Sequence, residues 1–213
     1  MAQPPVVRPR ALEVAAALAA GAVVAVPAVG GYCLAVRAGI PEAERRIEAL
    51  TAPREGVGAV PSEGPDYLVG DAAAVRQLAG GCSDELAALL TRCWPGPLEV
   101  SVDCRGEVIR VGLPEGRALR KLCRRIGPWR AAPLGVNEAA PVAAAFSAAE
   151  VACVVDGGRH QGEPPTVVDA TATPLRVVRE GALPAAFIEG TMLMSKRRRR
   201  FGGFRRSRTR PSP

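Results

Sequence analysis

Apolar and polar residues follow two periods along this chain, and the places where one gives way to the other mark its elements. Ala11–Ala20 has a helical pattern stopped by Gly21, and Ala22–Val26 is an apolar run ending at Pro27, which predicts a buried strand. Pro41 opens a second helix through Ala49, Val57–Val60 predicts a short strand, and Asp71–Ala79 and Ser83–Arg92 predict two further helices. In the last of these Ser83 is placed as N-cap, with Asp84 and Glu85 in the favourable first turn. Leu86, Leu89, Leu90, Cys93 and Trp94 fall on one face, which is therefore core. Leu98–Val102 and Val108–Val111 predict strands around a turn at Arg105-Gly106, and Val151–Val155, Thr166–Asp169 and Arg176–Arg179 add three more. Between them, Arg117–Ile126 predicts a helix with Leu119, Leu122, Cys123 and Ile126 on one side and Arg117, Arg120, Lys121 and Arg124 on another. Helices and strands mixed in this way imply the α/β class, with a twisted, mostly mixed sheet packed with helices.

Composition adds a boundary. The 213 residues are 48% hydrophobic, enough to bury a core without staples. The formal charge of +7 is unevenly spread: residues 194–213 carry nine of the 28 Lys and Arg residues and none of the 21 acids, so the preceding residues sum to about −2. The expected organisation is a domain over 1–193 and a disordered, Arg-rich tail over 194–213. Lys196, Arg197, Arg198, Arg199, Arg200, Arg205 and Arg206, with Phe201 and Phe204 among them, suit the phosphates of an RNA, tRNA or ribosomal. The alternative is a solubilising extension.

The six cysteines are scattered without a Cys-x-x-Cys pair, and His160 is the one histidine, so neither a metal site nor a disulfide framework is expected. Glu13, Gly21 and Pro27 interrupt the Ala-rich N-terminal run, so no membrane span is expected and a cytoplasmic protein follows.

Trp94-Pro95-Gly96-Pro97-Leu98 is an unusual way to join a helix to a strand, and it resembles the Phe-Trp-Pro-Gly-Pro-Leu-Thr hallmark of YrdC-like proteins, the threonylcarbamoyl-AMP synthases. Val154-Val155-Asp156-Gly157-Gly158, Pro165-Thr166-Val167-Val168-Asp169 and Val178-Arg179-Glu180-Gly181-Ala182 are similar to three further family segments in the same order. The resemblance covers about residues 10–190 and implies the YrdC-like fold around an open concave cleft. It also implies condensation of threonine, bicarbonate and ATP, aided by Mg²⁺, into threonylcarbamoyl-AMP and pyrophosphate for a tRNA modification.

Several chemistry-bearing positions depart from the family pattern. Pro-Thr-Asp-Thr-Val-Tyr-Gly-Leu appears as Pro27-Ala28-Val29-Gly30-Gly31-Tyr32-Cys33-Leu34, which retains Tyr32 as wall or ligand contact. Thr51-Ala52-Pro53 stands where the family has its phosphate-clamping Lys-x-Arg, with Arg54 one residue late. The arginine of Val-Arg-x-Pro aligns with Gly112, leaving Arg110 on the same strand face as the substitute. Ser-x-Asn aligns with Gly135-Val136-Asn137, and Pro165 replaces the serine before Thr166. The candidate substrate- and nucleotide-binding set is thus Tyr32, Arg54, Arg110, Asn137, Thr166 and Arg179; no catalytic residue is assigned. Asp156 and Asp169 suit turn roles, and His160 a solvent-exposed loop.

These departures favour a divergent YrdC-like nucleotide- or RNA-binding protein with weak or absent synthase activity. Two alternatives stand: an active synthase with bound ATP and Mg²⁺ that uses relocated groups such as Arg110 and Arg54, and a structural RNA- or ribosome-associated module.

Overall fold

The computed structural model describes residues 2–7, 11–52, 57, 64–159 and 163–202, the side chains of 11 and 196–202 excepted. Its strands are β1 (Val6–Val7), β2 (Val24–Ala28), β3 (Gly31–Arg37), β4 (Tyr67–Leu68), β5 (Leu98–Cys104), β6 (Glu107–Gly112), β7 (Trp129–Pro133), β8 (Cys153–Val155), β9 (Thr166–Asp169) and β10 (Arg176–Arg179). The helices are α1 (Ala11–Ala19), α2 (Pro41–Ala49), α3 (Ala72–Leu78), α4 (Asp84–Cys93), α5 (Arg117–Ile126), α6 (Ala139–Ala145) and α7 (Ala185–Gly202). The strands form one mixed sheet in the order β1-β8-β2-β3-β7-β4-β6-β5-β9-β10. β1 and β2 run parallel to β8, β4 to β6, and β5 to β9; the remaining neighbours are antiparallel.

Side-chain alternation decides which helix each strand meets. Along β2 and β3, Ala25, Leu34 and Val36 pack with Ala43 and Ile47 of α2 and Val142 of α6, whereas Val24, Val26 and Ala35 pack with Val14 and Leu18 of α1 and Leu119 and Leu122 of α5. This half of the sheet is covered on both faces. In the other half, Leu98, Val100 and Val102 of β5 and Ile109 and Val111 of β6 pack against Val75 of α3, Leu86, Leu89 and Leu90 of α4, and Ile188 and Met192 of α7. The intervening β5 positions, Glu99, Ser101 and Asp103, turn to the opposite face.

The expected cap forms, with the Ser83 hydroxyl accepting the Leu86 N–H at 3.1 Å. At the far end of α4 the Trp94 indole donates to the Leu98 carbonyl at 2.8 Å and closes the turn into β5. Gly96 is required there: a Cβ would lie 2.3 Å from the Cys93 carbonyl oxygen. Arg105 (φ 58°) and Gly106 (φ 89°) both occupy the left-handed region, as a tight two-residue hairpin turn demands.

Several expectations change. The strand expected over Ala22–Val26 runs from Val24 to Ala28 and incorporates Pro27, which pairs with Tyr32 and offers its carbonyl to the Glu115 N–H at 2.8 Å. Of Val57–Val60, only Val57 lies within the described residues, as an isolated bridge. The backbone is helical to Gly202, across the expected boundary between 193 and 194. Ile188 and Met192 anchor α7 against α4, and lysine and arginine are good helix formers that propagate a turn already nucleated. Residues 203–213, including Arg205 and Arg206, lie outside the described residues.

Ser83→Ala is expected to lower the unfolding free energy by about 1 kcal/mol through loss of the cap. Gly96→Ala should cost more, because its methyl group meets backbone; urea unfolding of both variants checks the order.

Candidate functional site

The face of the sheet opposite α4 and α7 borders a cleft of two joined chambers that share Val29, Gly30, Asn137 and Pro164 in their walls. The inner chamber has a volume of about 240 Å³ and is walled by Gly31, Tyr32 and Cys33 of β3, Pro133 and Gly135, Pro165, Glu99 of β5 and Arg179 of β10. The outer chamber, about 820 Å³, is bordered by the Pro95-Gly96-Pro97 turn, Glu115, Arg120 of α5, Gly157, Arg159 and Glu163.

The structure sorts the sequence-derived residues by what their polar atoms are already doing. Tyr32 is 1% exposed. Its hydroxyl donates to the Val155 carbonyl at 3.0 Å and accepts the Gly157 N–H at 2.9 Å, so it ties β3 to the end of β8 and serves as wall. Thr166 is fully buried. Its hydroxyl donates to the Leu183 carbonyl at 2.6 Å and accepts the N–H groups of Gly181 and Leu183, each at 3.0 Å. Thr166 is thus a latch for the 181–183 turn, its hydroxyl hydrogen and both lone pairs engaged within the protein. Asn137 is exposed on both chambers.

Arg179 lines the inner chamber and donates from Nη2 to the Pro165 carbonyl at 3.2 Å, while its Nε is buried without a hydrogen-bond partner among the described residues. Arg110 of β6 pairs with Ser101 of β5 and is ion-paired with Glu99, its Nε 4.0 Å from Oε2. Arg54 and His160 lie outside the described residues. Of the basic face on α5, Arg120 reaches the outer chamber and Arg124 lies 3.9 Å from Asp71. Asp156 and Asp169 do take turn roles, accepting from the Gly158 and Thr171 N–H groups respectively, each at 2.9 Å.

The residue that sequence reasoning missed is Glu99. It occupies the position after Trp94-Pro95-Gly96-Pro97-Leu98 and is 1% exposed. Burial pushes its carboxyl up to about 7, against the opposing pull of Arg110 and Arg179 and with a further push from Asp66. Oε2 is buried without a hydrogen-bond partner among the described residues. One signal was available: strict alternation between Leu98 and Val102 places Glu99 on the face of the strand opposite the core row, directly after the Trp94-Pro95-Gly96-Pro97 turn that borders the cleft.

Among the described residues no three His, Cys, Asp or Glu side chains gather as a metal cage. Arg120 and Arg159 stand in the walls of the outer chamber beside Glu115 and Glu163, and Arg159 Nε lies 3.1 Å from Glu138 Oε1. Among the described residues no helix is long and apolar enough to cross a membrane.

The Sua5/YciO/YrdC family model, described as telomere recombination, matches residues 16–181. The chain belongs to this family. The fold is shared with P. abyssi Sua5 carrying the H234A/Y235A substitutions, at 26% identity and a TM-score of 0.70 over 89% of this chain and 60% of that one. P. abyssi Sua5 complexed with L-threonine aligns at 27% identity and a TM-score of 0.68 over 84% of this chain and 56% of that one. E. coli YciO shares the fold at 17% identity and a TM-score of 0.69, over 88% of this chain and 100% of that one. This chain therefore spans about 60% or less of the length of the Sua5 chains. Pairwise comparison with curated proteins finds no match.

Glu99 gives this family member a stability profile with a definite sign. Its carboxyl is raised in the folded state from an ordinary value of 4.5 to about 7, so the folded state holds its proton more tightly than the unfolded state does. Its contribution is fully present below about pH 4.5 and is lost as pH rises through about 7, a difference of about 3 kcal/mol. Glu99→Gln is expected to remove that decline, so that urea unfolding between pH 5 and pH 8 shows a flatter profile and higher stability at pH 8 than the parent.

Proposed function

We propose that this protein is a divergent YrdC-like, small-ligand-binding member of its family, related to tRNA threonylcarbamoyladenosine biosynthesis, with weak or absent threonylcarbamoyl-AMP synthase activity. The observation that carries this reading is the state of the inner chamber. A buried carboxylate lies in its wall, and the two hydroxyls expected to meet a ligand, those of Tyr32 and Thr166, are already bonded within the protein. The complex of a 27% identical Sua5 with L-threonine supports a small-ligand role for the cleft.

Synthesis also needs cations on the triphosphate. After α2 the described chain offers Thr51, whose hydroxyl donates to the Glu48 carbonyl at 2.7 Å, and Ala52. Each absent charge-assisted contact is worth about 1.5–3 kcal/mol, so losing two slows turnover by about 100-fold or more. Pyrophosphate release that depends jointly on threonine, bicarbonate and ATP with Mg²⁺ should therefore fall at least that far below a family member with intact motifs. Comparable turnover would instead favour an active synthase, and Arg110→Ala would then be expected to abolish it.

A second reading, RNA contact, is favoured by one feature: a run of five cations, Lys196–Arg200, continues a helix whose base is fixed to the domain. If about six cations between 196 and 213 meet phosphates of a single strand, log K should fall against log salt with a slope of about −4. Truncation after Ser195 should flatten that slope and remove most of the affinity in a filter-binding or anisotropy assay.

A further inference from the structure

We propose that the outer face of α7 docks on an anionic lipid surface, its exposed apolar residues entering the headgroup region while the cations that follow them meet lipid phosphates. This surface is separate from the cleft and shares only the cationic run with the RNA reading.

Residues Ala185–Met194 of α7 include one charged side chain, Glu189, so this stretch is apolar nearly all round. A helix of that kind is normally covered on every side. Here one side alone is covered. Ile188 and Met192 enter the core with Leu86, Leu89 and Leu90 of α4, whereas Phe187, Leu193 and Met194 are 38%, 62% and 56% exposed. Three of the seven exposed large hydrophobic residues among those described thus fall within eight positions, while the other four lie one each in β1, α1, β6 and β10. The three form a stripe. Leu193 and Met194 stand about two helical turns beyond Phe187, and Gly190 lies between them facing open space, since a Cβ there would meet nothing within 4 Å.

What covers the stripe is indicated by the residues that follow it. Lys196–Arg200 continues the same helix with five consecutive cations, and Phe201 falls in register with Phe187 and Met194 at intervals of seven. At the base of the stripe the Arg92 guanidinium of α4 stands over the Phe187 ring, 5.3 Å from its centroid. Apolar side chains bordered by cations are the pattern of a helix lying in a membrane interface, where acyl chains take up the aliphatic groups and phosphates meet the cations. Glu189, exposed at the flank, is the one opposing charge in the stretch. The ten residues are about half of the ~20 that a span requires, so the helix would lie on the bilayer rather than cross it.

Two other occupants fit less well. RNA would engage the cations and leave Leu193 and Met194 in water. A second copy packed with its α7 parallel to this one would bring two runs of five cations together, which repel; packed antiparallel, each run would meet a stretch whose one acid is Glu189.

The test is flotation of the full chain with vesicles of phosphatidylcholine containing about 25% phosphatidylglycerol, and with vesicles of phosphatidylcholine alone. Binding to the anionic vesicles is expected to be at least about tenfold tighter than to the neutral ones. The double variant Leu193→Gln, Met194→Gln leaves the net charge unchanged, and thermal denaturation checks that it folds. It should weaken binding to the anionic vesicles about tenfold or more, while its affinity for a single-stranded RNA stays within about twofold of the parent. Truncation after Ser195 should weaken both. Absent vesicle binding, or equal vesicle binding by parent and double variant, would overturn the proposal and leave the cations to RNA. Equal losses of RNA and vesicle affinity in the double variant would overturn it by assigning the face to RNA. A parent dimer that the double variant dissociates, read by sedimentation velocity, would overturn it by assigning the face to a second copy. Vesicle binding without RNA binding would uphold the proposal and remove the RNA reading alone.

Discussion

The register of β5 is the constraint on which the remaining architecture depends. This strand is held by β6 on one side and β9 on the other, and its two rows have incompatible environments. Leu98, Val100 and Val102 enter the core beneath α3, α4 and α7, while Glu99 and Ser101 face the cleft. A slip of one residue would drive two polar side chains into that core and three aliphatic ones out of it, so the hydrophobic effect fixes the register strongly. The turn closed by the Trp94 indole sets where the strand begins, and the Thr166 N–H donates to the Pro97 carbonyl at 3.0 Å, so the same turn also aligns β9.

Desolvation then outweighs Coulomb attraction in the cleft. Two arginines lie near Glu99, yet its carboxyl is raised rather than lowered, because neither guanidinium closes to hydrogen-bonding distance while nearly the whole side chain is removed from water. The Tyr32 and Thr166 hydroxyls contrast with that carboxyl: each is saturated by backbone partners, and each fixes a turn at the cleft's edge.

Much of the fold was legible in the sequence because amphipathic periods are strong where an element is half-buried. Arg117–Ile126 is a helix with the bounds its two faces imply, and the β5–β6 hairpin turns at Arg105-Gly106. β3 and β7 were missed: β3 is buried along six of its seven residues, so alternation is absent, β7 is short and alanine-rich, and Gly31 and Pro133 resemble loop punctuation. α6 was missed because Pro141, which a helix tolerates in its first turn, reads as a breaker. The family and its cleft were legible from short motifs, but hydroxyl-bearing residues within those motifs were read as ligand contacts. Sequence does not reveal whether such a hydroxyl has a backbone partner some 15 residues or more than 120 residues away, as for Thr166 and Tyr32. Glu99 differs from both: it stands where the quoted hallmark has its threonine, and an acid in an alternating strand reads from sequence as a solvated position, whereas here it is buried.

Gly112 sets how closely β6 and the segment before β4 can approach each other. A methyl group at 112 would stand 3.2 Å from Pro65 Cβ, tighter than ordinary contact, and 3.5 Å from Glu99 Cγ, which is an ordinary contact. The steric demand of a larger residue at 112 thus falls on Pro65, which would have to give by a few tenths of an ångström, and leaves the carboxylate of β5 in place.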